Sequence, residues 1–206
     1  MKKGLDKFFD NDFDNDWFVI KDGEKKSIRF TEEVPNITVA RQHFVKTDGF
    51  KGFVFCLNDP DNDITDECPL CEVASTEWND PITVAKKYFF TKIIDREDGK
   101  VKLFKGTSGI SQYLIKHYQD NDSIVNIDFN ISRKKKGNLT QYNLSGLVGS
   151  IGDLKEDEKK KVAELDLDKN LSFNKKTKKE MQNIINSLED KNNNSDEEDE
   201  DEDSIL

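Results

Sequence analysis

Four side chains able to grip a soft metal ion come from one stretch of the sequence: His43, Cys56, Cys68 and Cys71, the last pair written Cys68-Pro69-Leu70-Cys71. They include all three cysteines of the chain and one of its two histidines. Cys-x-x-Cys lets two thiolates hold one tetrahedral ion, and a Cys3His set is a pattern of structural zinc. Disulfide pairing would leave one thiol over, and so few cysteines suit a reducing compartment. A redox role for Cys-x-x-Cys has no βαβ pattern around it. One structural Zn2+ on His43, Cys56, Cys68 and Cys71 is therefore expected, with a reduced, metal-free cluster as the other reading.

The elements that must position these ligands read as short strands. Trp17-Phe18-Val19-Ile20 and Lys25 to Phe30 suggest a hairpin around Asp22-Gly23. Ile37 to Lys46 alternates and carries His43, and Phe50 to Leu57 delivers Cys56. The turn-rich Asn58 to Asp66 leads into the knuckle. Lys86 to Ile94 and Lys100 to Lys105 flank Asp95-Arg96-Glu97-Asp98-Gly99 as a second hairpin. Helical spacing of Ile110, Tyr113, Leu114 and His117 predicts a helix over Ser108 to Gln119. Ile124 to Arg133 and Leu139 to Leu144 form a third hairpin around a basic turn, and helix formers follow at Leu154 to Leu165 and Lys175 to Leu188. The fold class expected is mainly β with some α: an OB-fold-like small barrel with an inserted zinc-binding loop, short C-terminal helices and a disordered acidic tail. In domains this gives a flexible leader (1–16), a core (17–150) with the zinc region at about 43–80, a helical region (151–190) and the tail (191–206).

The net charge of −10 is concentrated. The unbroken run Asp196 to Asp203 holds eight of the acids, so everything before it is nearly neutral. A block this dense repels itself and stays unfolded. It reads either as a solubilising tail or as a docking peptide, with Asp199, Glu200, Asp201, Glu202, Asp203, Ile205 and Leu206 meeting a partner. No run reaches the ~18 apolar residues of a membrane span. The first residues lack an apolar signal region, so a soluble intracellular protein is expected, with no membrane partner.

No enzyme pattern emerges. The His-x-Glu of zinc deaminases is missing at His43-Phe44-Val45, and four protein ligands would close the metal to substrate. Binding surfaces are better represented. By alternation Tyr88, Phe90 and Lys92 face one way, and Lys102 and Phe104 are opposed to Val101 and Leu103. Read together they make a face of rings and lysines, which suits stacked bases and phosphates of unpaired nucleic acid; core packing of the rings is the plainer alternative. Arg133, Lys134 and Lys135 head the most basic loop of the body.

His43, twelve residues, Cys56, eleven residues and the Cys68-Cys71 knuckle with its flanks Asp66-Glu67 and Glu72 resemble the zinc subdomain of bacteriophage single-stranded DNA-binding proteins, the helix-destabilising family of the T-even phages. Tyr88-Phe89-Phe90 and Ile93 to Val101 are similar to the segment that follows that site, and the likeness covers roughly Trp17 to Leu144. It implies a non-enzymatic OB barrel that coats single-stranded DNA in the cytoplasm of the bacterial host, with DNA on Tyr88, Phe90, Lys92, Lys102, Phe104, Arg133, Lys134 and Lys135. It also implies recruitment of phage replication and recombination proteins through the acidic tail. The basic N-terminal arm that drives self-association in that family is replaced here by an acidic leader. A zinc-stabilised protein-binding adaptor without DNA contact is the alternative function.

Overall fold

The computed structural model describes residues 16–47, 49–77, 79–136, 139–147 and 151–195. The leader up to residue 15, Trp78 and the acidic run from Asp196 to Leu206 lie outside the described residues, and with them every partner-binding residue expected in the tail. In chain order the elements are β1 (Lys25–Phe30), β2 (Thr38–Lys46), β3 (Lys51–Phe55), β4 (Asn58–Asp59), β5 (Ile64–Thr65), α1 (Pro69–Val73), β6 (Lys86–Asp95), β7 (Val101–Gly106), α2 (Ser108–Asn121), β8 (Phe129–Lys136), β9 (Leu139–Gly146), α3 (Glu156–Glu164), α4 (Leu167–Ser172) and α5 (Lys178–Ser195). The protein is mainly β with short helices, and its sheet curls into a half-barrel, in line with the expected small barrel.

The chain folds as two units. The first joins the described residues up to Val39 with Tyr88–Leu171; the second joins Ala40–Lys87 with the residues from Ser172 onward. In the first unit the strands run antiparallel in the order β7, β6, β1, β8, β9. Residues opposite one another across such strands share a face, so the register sorts every side chain. One face carries Phe89, Ile93, Phe104, Ile28, Phe30, Phe129 and Ile131, all buried, with Ile110 and Leu114 of α2 in the same core. The rings meet edge to face: Phe30 lies 5.3 Å from Phe129 and 6.0 Å from Phe104 between centroids, the arrangement their quadrupoles prefer. Gly106 sits opposite Phe89, and a Cβ there would come within 2.0 Å of that ring. Asp95, also on this face and 1 % exposed, is neutralised by Lys102 at 2.7 Å and Lys26 at 3.8 Å.

The first expected hairpin is different. Lys25 to Phe30 is a strand, but Trp17 makes an isolated parallel bridge with Leu103, and the Phe18 N–H donates to the Leu103 carbonyl at 2.7 Å. Phe18 and Ile20 bury against the common core, and that burial decides the direction of the segment. The Asp95–Gly99 hairpin forms as expected, with Gly99 at φ +66 in the left-handed region that its turn requires. His117 rests on Phe129, ring centroids 5.3 Å apart, which is a packing role.

Candidate metal centre and outer sheet face

In the second unit β2 and β3 pair as a hairpin, placing His43 opposite Val54 two residues before Cys56. The Cys68–Cys71 knuckle is the first turn of α1, which Pro69 enters at its first position, where a missing N–H costs nothing. The Cys71 N–H donates to the Cys68 carbonyl at 2.9 Å, holding both sulfurs on one side of the turn.

The four ligand atoms converge, all within 4.8 Å of one another. His43 Nε2 is 3.5 Å from Cys71 Sγ and 3.6 Å from Cys68 Sγ, and Cys56 Sγ is 3.4 Å from Cys71 Sγ. Bonds of ~2.3 Å to sulfur and ~2.0–2.1 Å to nitrogen make tetrahedral edges of roughly 3.6–3.8 Å. Three of the six separations therefore lie within a few tenths of an ångström of such an edge, and all six fall within 4.8 Å. His43 Nδ1 donates to the Thr83 carbonyl at 2.9 Å, which turns the Nε2 lone pair toward the sulfurs, and the Asn58 N–H donates to Cys56 Sγ at 3.4 Å. Partners of this kind fix tautomer and orientation around metal ligands. Hydrogen bonding from Cys56 holds the Cys68 thiol well below the usual thiol range, overriding the desolvation of its site. His43, Cys56, Cys68 and Cys71 can thus hold a metal ion, and the donor set is complete without solvent.

A cover missed by sequence reasoning comes from the far end of the chain. Met181 of α5 is fully buried with its sulfur 4.0 Å from Cys68 Sγ, and Ile185 joins Val45, Val54, Leu70 and Ile82 around the cysteines. The i, i+3, i+4 spacing of Met181, Ile184 and Ile185 signalled an apolar face, but nothing in it named the knuckle as what that face covers.

The residues expected to touch DNA divide between two faces. Register places Phe90 opposite Lys105 and Lys92 opposite Leu103, whereas Phe104 faces Thr91 and Lys102 faces Ile93. Tyr88, Phe90 and Lys92 therefore share their face with Val101, Leu103 and Lys105, while Lys102 and Phe104 belong to the core face. This corrects the expected grouping: the turn makes Ile94 pair with Val101, so odd positions on β7 match even positions on β6. Phe104 is 4 % exposed among Phe18, Phe30 and Phe89, and Lys102 is committed to Asp95 and Asp98. Phe90 is also fully buried, so its ring is not a stacking surface. Arg133 lies on the core face and donates to the Ile20 carbonyl at 3.1 Å, while Lys134 and Lys135 are exposed.

Followed across the unit, the outer face carries Lys105 on β7, Lys92 on β6, Lys25 and Arg29 on β1, and Lys134 on β8. Tyr88, Phe90, Ile94, Val101 and Leu103 share its β6–β7 side, where Phe90, Ile94 and Leu103 are buried, and Asn130, Ser132, Gln141, Asn143 and Ser145 lie on its β8–β9 side. Among the described strand residues it has no aspartate or glutamate.

Lys105, which sequence reasoning passed over, sits 3.8 Å above the Tyr88 ring centroid, and burial draws its ammonium down to about 7. In the unfolded chain a lysine titrates near ~10.4. The unfolded state thus binds the extra proton between those values, and stability should rise with pH across that window. Denaturant melts at pH 7, 8 and 9 are expected to show that rise, and Lys105→Met to flatten it; equal slopes in both chains would place the titration elsewhere.

A largely buried Cys3His cluster in one unit and an antiparallel sheet with a lysine- and arginine-bearing face in the other define a mainly β protein with the makings of a metal site. No family model, no curated protein and no solved structure matches the chain. Among the described residues no helix is long and apolar enough to cross a membrane.

Proposed function

We propose that this is a non-enzymatic single-stranded DNA-binding protein of phage replication, recombination and repair, stabilised by one structural Zn2+ on His43, Cys56, Cys68 and Cys71. The observation that carries it is the outer face of the first unit, basic on four of its five strands and without a strand carboxylate, in a chain with 42 acidic residues. Cations and amide or hydroxyl groups in register meet phosphates without reading sequence. The sulfur-rich, complete donor set favours zinc in a structural role. The acidic run from Asp196 to Asp203 would recruit the replication partners, in the cytoplasm of the host cell.

Anisotropy of labelled oligo(dT) across a salt series tests this, with duplex as control. Lys25 and Lys134 are the exposed lysines of this face, and two phosphate contacts give a log–log slope of about −1.4 for a single strand. Tight, salt-sensitive preference for the single strand is expected. Absence of binding at low salt would make the protein an adaptor for other proteins.

A further inference from the structure

Three cations on or next to the outer face each have a partner in one short segment, residues 151–165. Arg29, 2 % exposed, donates through Nε to the Val125 carbonyl at 2.8 Å and through Nη2 to the Gly152 carbonyl. Its Nη1 is 3.8 Å from a Glu158 oxygen. Arg96, just past the end of β6, donates to Glu158 Oε1 and to Asp128 Oδ1, both at 2.8 Å. Lys92 Nζ donates to the Val162 and Leu165 carbonyls at 3.1 and 3.4 Å, capping the negative end of α3. Desolvation works against the Glu158 charge, but the Lys155 N–H and Arg96 outweigh it and hold the carboxyl below its usual range.

The segment itself is weakly anchored by packing. α3 has nine residues and buries none of them. Helices this short do not persist alone, and most are held by an apolar face. Here the hold is ionic and polar: oxygens of a carboxylate and of main-chain carbonyls set against a cationic strip. Those are the same partners that a phosphodiester backbone would offer.

We propose that Arg29, Lys92 and Arg96 form a phosphate-contacting strip and that residues 151–165 are its resident competitor, displaced when a single strand binds. This rests on the single-strand reading above and adds to it a covered half of the surface. Displacement adds Arg29, Lys92 and Arg96 to the two exposed lysines of the face, so the full complex engages about five phosphates and its salt slope steepens from about −1.4 to about −3.5.

Hydrogen exchange of the full chain, with and without saturating dT oligomer, reads the displacement directly. Amides of 156–165 are expected to exchange at least tenfold faster in the complex, while those of β6 and β8 do not. Glu158→Gln, which keeps the side-chain shape and removes the charge, is expected to tighten oligo(dT) binding about five- to tenfold. Binding with unchanged or increased protection of 156–165, and no gain from Glu158→Gln, would overturn the strip and leave the single-strand reading standing. No binding by either chain would remove both.

Discussion

A Cys71→Ser chain is expected to lose the ordered second unit. Cys71 is the one exposed cysteine of the four ligands, so removing its sulfur opens no cavity in the core. An exposed substitution of that size ordinarily changes stability by no more than about 0.5 kcal/mol. If the sulfur is instead one of four donors to a structural ion, its loss forfeits metal binding that contributes on the order of 10 kcal/mol to folding. The two causes thus differ by an order of magnitude at a single atom. Metal content by mass spectrometry and amide dispersion for Ala40–Lys87 separate them. Loss of about one equivalent of zinc together with collapse of those resonances is the expected result. A folded, metal-free unit would show that hydrogen bonding among the four side chains is enough.

Phe104→Ala is expected to cost about 3–5 kcal/mol of stability, the range for an aromatic removed from a core. The ring meets Phe18, Phe30 and Phe89 at centroid distances between 5.7 and 6.0 Å, so its removal strips three edge contacts at once. Because it lies on the core face, the folded fraction of Phe104→Ala should bind oligo(dT) as the parent does. A loss of affinity at full folding, with stability unchanged, would return Phe104 to the surface and reverse the face assignment. Urea melts and anisotropy on the same sample decide it.

Much of this was legible in the residues. The knuckle spacing of Cys68 and Cys71, with Cys56 and His43 upstream, named the four side chains that converge, because chelation demands particular atoms within a few ångströms. Strand positions followed from alternation, and the turn at Asp95–Gly99 from its composition. What alternation could not give was phase across the hairpin. A shift of one residue in pairing exchanges Phe104 for Lys105, and only the register resolves it. Trp17 to Ile20 misled for a related reason: an apolar run beside a turn states that it will be buried, not which strand it will lie along. Met181 was hidden by distance, since a helical stripe gives its own direction and says nothing of the surface that receives it.

The cover over Cys68 has a consequence in time. The knuckle ends at Cys71 and the sulfur that seals it is Met181, 110 residues later. At bacterial and eukaryotic synthesis rates of about 5–20 residues per second, that interval is roughly 5–20 s. Throughout it the nascent chain presents three thiols and an imidazole with their lid still unmade. An oxidant or a soft metal ion therefore has its best access to Cys68 before synthesis reaches α5. Once α5 docks, Cys68 is covered, and Cys71 is the cysteine that stays exposed.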